Sequence, residues 1–234
     1  MDKPSVSLIC PAYYDEDNIG PLVRRNVEAL RAVCAEFEII VVEDGSPDGT
    51  GRAVESLAAE FPGTVVAVHH NRNRGHGAAL KTGFRFAKYP VIAMMDGDGQ
   101  YDPADLPGLV AMLGTLDLVQ GRRANYPNGP LRAALSRIYN MVIRALFHVP
   151  FRDLGCGIKA MKREVLEKSL PKGDGIFAQG ELVLRAHAAG FRTGEAQVAS
   201  FPRKHGRSSS IKIRNVVRLP IEIMRLKSEW KVTA

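Results

Sequence analysis

Apolar and polar positions follow two periods along the first half of the chain, and the change from one to the other marks out the elements. The runs at 6–10, 38–42, 64–69 and 91–95 are dense in Val, Ile and Met and bounded by turn residues, which predicts strands. Between them, 19–36, 49–61 and 77–87 space their apolar residues three and four apart, as Leu22, Val23, Val27, Leu30 and Val33 do, which predicts helices. Strands alternating with helices imply an α/β fold with a mainly parallel central sheet covered by helices on both faces. Beyond Pro107 the pattern loosens. It predicts a helix over 107–113, a strand over 116–120 and a Gly/Pro-rich connection over 125–130. Helices are expected over 131–149, 182–189 and 211–227, the last broken or kinked at Pro220. The economical division is one domain over 1–210 and a basic amphipathic helical segment over 211–234.

Ligands of a parallel sheet collect at the carboxyl ends of its strands. Four polar loops follow the four strands, at 11–16, 43–50, 71–77 and 96–100, and all should open on one rim. Asp96-Gly97-Asp98 leaves the most apolar strand and sets two carboxylates where a buried segment emerges. Their hard oxygens suit Mg²⁺ or Mn²⁺, ions that keep positions for water and phosphate. An isolated Asp-Gly-Asp is also ordinary turn chemistry. The 43–50 loop reads two ways as well: its carboxylates suit a nucleobase edge or ribose hydroxyls, while Ser46 or Asp48 suits the cap of the next helix. Residues 73–77 form a glycine loop entering a helix, a weak phosphate signal on its own.

Composition alters little, since 234 residues with 45% hydrophobic and 24% charged residues describe an ordinary globular protein. Cys10, Cys34 and Cys156 lack metal or disulfide spacing and point to a reducing cytoplasm. The first apolar run is too short for a signal peptide, and none approaches the roughly 18 residues of a membrane span. Charge matters more. A formal +7 implies anionic partners, and the basic residues gather at Arg122, Arg123, Arg132, Arg137 and Arg144 and again over 203–231. No nucleic-acid-binding signature or stacking platform accompanies them, so we expect no nucleic-acid partner. Residues 211–219 and 221–227 mix large apolar side chains with Lys and Arg, as interfacial helices do, and 131–149 has the same character. A core helix with a basic wet face fits these stretches equally well. Arg132, Ser136 and Asn140 share one helix face, and a guanidinium fork suits phosphate.

The loops in this order resemble the inverting glycosyltransferases of the dolichol-phosphate-mannose synthase type, which have a GT-A fold. The resemblance runs from about Val6 to Ser210. It rests on PAYYDEDNI at 11–19, VVEDGSPDGT at 41–50, NRGHGAALKTGF at 73–84 and MDGDGQYDP at 95–103. QGRR at 120–123, LRAALS at 131–136, DLGCGIKA at 153–160 and RKHGRSS at 203–209 extend it. It implies that Pro11, Tyr13, Asp15, Asp44 and Asp96 meet the nucleotide. Asp96, Asp98 and Gln100, the DxD region, would hold Mg²⁺ or Mn²⁺ and the diphosphate. Arg123, Arg132 and Ser136 would hold the acceptor phosphate, and Arg203 and Arg207 the donor diphosphate. Tyr14 stands where the family usually has Asn. Ser209 stands where a Lys is usual, leaving that contact to Arg207 or Lys212.

The implied reaction moves a sugar from GDP-mannose or a UDP-hexose to a polyprenyl or dolichyl phosphate, at the cytoplasmic face of a membrane. A hydroxyl acceptor, diacylglycerol or a saccharide, would instead need a carboxylate base. Glu181 and Asp153 are the candidates, and Glu181 is better explained by the helix it opens. A non-catalytic nucleotide-sugar-binding relative is the third reading, disfavoured by intact Asp96, Asp98, Gln100, Arg123 and Arg132.

Overall fold

A computed structural model describes residues 3–127, 129–206 and 213–230, with side chains of the last stretch from residue 218 onward. The first half follows the periodic reading closely: β1 (Ser5–Ala12), α1 (Ile19–Val33), β2 (Glu36–Glu43), α2 (Thr50–Glu60), β3 (Val65–His69), α3 (His76–Phe86) and β4 (Val91–Met95). The second half departs from it. Helix α4 (Leu106–Ala111) passes into a tighter turn at Met112–Gly114, and the following strand, β5 (Leu118–Arg123), begins later than expected. Just before it, the Asp117 backbone bonds to Lys162 and Arg192, and its carboxylate binds the side chains of the same two residues. Next come α5 (Pro130–Phe147), β6 (Ile158–Lys162), α6 (Arg163–Ser169), α7 (Ala178–Ala188), β7 (Thr193–Val198) and α8 (Ile213–Glu229). Strands β6 and β7 and helix α6 are not visible in the pattern, since IKAMK and TGEAQV carry too many polar residues to read as strands. Helix α8 continues through Pro220 without the break that was one of the two expectations there.

The strands form one sheet in the order β3-β2-β1-β4-β6-β5-β7. All pairings are parallel except those of β6, which runs antiparallel to both β4 and β5. Successive side chains of a strand face opposite ways, so Leu8 and Cys10 join one core while Ile9 joins the other. The first core lies under α1, α2 and α4. The second lies under α3, α5, α7 and α8 and includes Ile223 and Leu226 of α8. Trp230 closes it against Phe147, with ring centroids 4.7 Å apart.

This topology chooses the site. The chain winds outward from β1 through β2 to β3, then crosses back to β4 on the other side of β1. The carboxyl ends of β1 and β4 therefore flank the switch point, where a crevice forms. Because β6 runs the opposite way, its leading segment, 153–157, arrives at the same rim. Among the described residues no helix is long and apolar enough to cross a membrane.

Candidate active site

Three acidic side chains meet at the switch point. Asp15, beyond β1, accepts from the Tyr13 amide at 2.9 Å, Asn18 Nδ2 at 3.2 Å and Arg203 Nη2 at 2.6 Å. Asp96 and Asp98 follow β4. Asp98 Oδ1 accepts from the Gln100 amide at 3.1 Å, while its Oδ2 lies 3.7 Å from Arg203 Nη1. Arg203 therefore bridges the β1 and β4 loops from a position far along the chain. It also donates to the Tyr14 carbonyl at 2.7 Å, and its own backbone enters the rim because residues 200–201 pair with 100–101. Gln100 joins this pairing through its side-chain amide, which donates to the Phe201 carbonyl at 3.1 Å.

Burial dominates the electrostatics. It pushes the carboxyls of Asp15, Asp96 and Asp98 up to about 6. Asp98 is raised further by Asp96 and lowered by Arg203 and Arg132. Lys159, Arg123 and Arg203 favour the charged form of Asp96. Arg123, Arg132 and Arg203, all singled out in the sequence, thus act on one carboxylate pair.

Arg123 ends β5 and is clamped to Asp153: Nε donates to Oδ2 at 2.8 Å and Nη2 to Oδ1 at 2.7 Å. Its Nη2 also points to Ser136 Oγ at 3.4 Å, and Tyr126 lies under the guanidinium at 4.6 Å. Asn140, one turn on from Ser136, donates to the Ser136 carbonyl and accepts from the Leu154 amide, which fixes α5 to the 153–157 segment. The shared face of Ser136 and Asn140 is the inward one. Arg132 is half-buried beside it, and Arg137 and Arg144 are exposed.

The two carboxylates considered as bases are both committed. Asp153 is fully buried on Arg123. Glu181, also fully buried, accepts from the Lys172 and Gly173 amides and pairs with Arg185 and Arg225. Asp44 is likewise occupied: it accepts from the Arg74 amide at 2.9 Å, the Gly75 amide at 2.8 Å and pairs with His70 at 2.6 Å, holding the 70–75 loop to the rim. Pro11 is buried, and its carbonyl accepts from the Gly97 amide at 3.0 Å. Tyr13 stands half-buried, edge-on to Tyr14 at 4.7 Å. Tyr14 has φ 59°, a left-handed conformation that Asn tolerates and that costs other residues about 1–2 kcal/mol. Asp48 accepts from the Thr50 amide at 3.1 Å, but α2 is entered through Gly49 with no side-chain cap, so neither Ser46 nor Asp48 is the cap the sequence suggested. Arg207, Ser209 and Lys212 lie outside the described residues.

Two residues without an assigned role prove central. Gly157 donates to the Tyr101 hydroxyl at 2.8 Å and accepts from the Asp96 amide at 3.2 Å; a Cβ there would overlap Asp96 Oδ2, so only glycine lets the carboxylate sit where it does. Lys159 is fully buried on β6, donates to the Cys156 carbonyl and Gln179 Oε1, and has its amine pushed down by burial. A lysine inside DLGCGIKA, between apolar neighbours, was the available signal.

A divalent cation fits the carboxylate pair. Both groups resist ionising together, and Asp96 Oδ1 is buried without a hydrogen-bond partner. Among the described residues no group of three His, Cys, Asp or Glu is placed to hold a metal ion together. Two carboxylates would leave the remaining positions of such an ion to water and phosphate oxygens, the arrangement Mg²⁺ prefers.

The family model described as Glycosyl transferase family 2 matches residues 7–170. An undecaprenyl-phosphate 4-deoxy-4-formamido-L-arabinose transferase of Pseudomonas fluorescens (strain SBW25) is 33% identical over 207 residues, covering 87% of this chain and 59% of the relative. The enzyme of that name from Proteus mirabilis (strain HI4320) is 29% identical over 215 residues, covering 91% and 65%. The chain thus spans about three fifths of the length of the curated relatives it matches. Among solved structures, glucosyl-3-phosphoglycerate synthase from Mycobacterium tuberculosis with Mn²⁺, UDP and glucosyl-3-phosphoglycerate superposes with a TM-score of 0.73 at 18% identity, covering 97% of this chain and 81% of the other. The same synthase with Mg²⁺ and UDP gives 0.71 at 20% identity, with 97% and 80% covered.

Proposed function

We propose a nucleotide-sugar donor and a polyprenyl-phosphate acceptor for this chain, which belongs to glycosyl transferase family 2. Its fold is the GT-A type of the solved synthases. The observation that carries the reading is the convergence of Arg123, Arg132 and Arg203 on the half-buried Asp96–Asp98 pair at one sheet rim. An acceptor and a donor that are both anionic need this: cations of the protein to hold them together and an acidic pair to share with a metal.

The reaction is an in-line displacement at the anomeric carbon, with inversion. A phosphate monoester has its second pKa near 6, so its oxygen is already a nucleophile at neutral pH and needs no base. The internal commitment of Asp153 and Glu181 agrees with that. Arg132, with Ser136 and the Asp153-oriented Arg123, holds the acceptor phosphate. Arg203, anchored by Asp15, faces the donor diphosphate as it departs. Asp96 and Asp98 would hold Mg²⁺ or Mn²⁺, which when bound neutralises charge developing on the diphosphate. The relatives' names, which specify undecaprenyl phosphate, support the lipid acceptor.

The acceptor is membrane-bound, and the outer face of α5 suits a membrane surface. Leu131, Leu135, Ile138 and Met141 are each more than half exposed beside Arg137 and Arg144. Ile221 and Met224 of α8 are exposed as well. The test is to incubate the protein with Mn²⁺, a panel of radiolabelled GDP- and UDP-sugars, and undecaprenyl phosphate or diacylglycerol. Label should pass into organic solvent with the phosphate lipid. Transfer to diacylglycerol alone would overturn the reading.

A further inference from the structure

We propose that His76 is a positioning residue that orients the Asp96 carboxylate by donating a hydrogen bond from Nε2 to Oδ1, a role that rests on the donor-site reading above. His76 Nε2 and Asp96 Oδ1 are both buried, both lack a hydrogen-bond partner, and lie 3.6 Å apart. Buried polar atoms of native proteins are nearly always paired, so two facing orphans identify each other as partners. The gap exceeds a normal N–H···O bond by about 0.6 Å, and bonds of this kind tighten when a site takes its ligand.

The surroundings leave few other arrangements. Asp96 Oδ2 lies against the Cα of Gly157, so only Oδ1 turns toward α3. On the other side, His76 opens α3 on a backbone pinned at neighbouring residues. The Arg74 and Gly75 amides donate to Asp44, and the Gly77 amide donates to the Asp174 carbonyl at 3.0 Å. Gly77 is itself closely packed by Ala178 and the 173–174 backbone, which holds the start of the helix in place. A neutral imidazole carries one proton, on either of its two ring nitrogens. A proton on Nε2 satisfies both orphans; one on Nδ1 would turn a lone pair toward the carboxylate. His76 thus acts on the donor through Asp96 and touches neither reacting group.

The tautomer is read from long-range ¹H–¹⁵N correlations of the imidazole, in the free protein and with Mg²⁺ and UDP or GDP. The Nε2–H form is expected, and the Nδ1–H form in both states overturns the proposal. Calorimetry with the same nucleotides then compares two variants. His76→Gln carries an amide N–H to the position of Nε2 and should bind within about threefold of the parent. His76→Leu should lose about tenfold or more, the scale of one hydrogen bond to a charged group, with Tm little changed. Equal losses in both variants, or none in either, would reduce His76 to packing. If neither nucleotide binds the parent protein, the donor reading fails, while the tautomer of the free protein still decides the bond.

Discussion

Asp96 and Asp98 are each raised by burial and by a neighbour of like charge, and the sign of their effect on stability follows. Their folded values, about 6, lie above the ordinary 3.8, so folding takes up protons between those limits. The stabilisation is full below about pH 4 and is lost as the pH rises through 6. A divalent cation favours the ionised pair and works in the opposite direction. Mg²⁺ should therefore raise Tm more at pH 7.5 than at pH 5, and Asp98→Asn should remove most of that difference. Melting curves at the two pH values, with and without the ion, decide it; equal shifts would move the cation elsewhere. The same substitution should lower sugar turnover by about 10²-fold or more, the usual loss when a stabiliser of transition-state charge is removed. Both aspartates stand out in the sequence because a polar turn ends an apolar strand. Gly157 does not, and Lys159 does only as a lysine between apolar neighbours, because what makes them matter is the side chain of Asp96 just past the end of an adjacent strand.

At the scale of elements, α5 has two faces with different duties. Its inner face carries Ser136 and Asn140 toward Arg123 and residue 154, while its outer face leaves a row of large apolar side chains exposed. Arg132 lies between them, near enough for its charge to reach Asp98. Replacing Arg132 with Ala should weaken use of the lipid phosphate by about 1.5–3 kcal/mol, the range for a charge-assisted contact, and leave nucleotide affinity nearly unchanged. Acceptor KM and nucleotide calorimetry measured on one preparation separate the two; a fall in nucleotide affinity of that size would assign Arg132 to the donor. The helical spacing of Arg132, Ser136 and Asn140 was legible in the chain. Which face turned inward was not, since apolar residues occur on both sides and only contact with the 153–157 segment chooses between them.

For the whole molecule, α8 joins the two readings that its sequence left open. Ile223 and Leu226 are core residues, Arg225 pairs with Glu181, and Lys227 donates to the Leu146 carbonyl, while Ile221 and Met224 face outward. A chain ending at Ser210 should therefore lose several kcal/mol, because burying a large aliphatic side chain contributes about 2–5 kcal/mol to a core. Urea unfolding of the truncated chain tests this; an unchanged midpoint would mean that α8 is not seated. Membrane contact is better probed by Ile221→Glu with Met224→Glu, which should leave the fold intact and reduce sedimentation with anionic vesicles at low salt.

The alternation of β-branched runs and amphipathic helices was enough to determine the parallel half of the sheet, and with it the loops that share the rim, because side-chain period reports which faces are buried. Tertiary structure alone decided how the second half completes the site. The reversed β6 enters between β4 and β5 and carries Gly157 beneath Asp96. Arg203 reaches Asp15 across almost the whole chain. Pairings of this kind depend on strand order and on charges meeting in a buried space, and a local pattern holds no information about either.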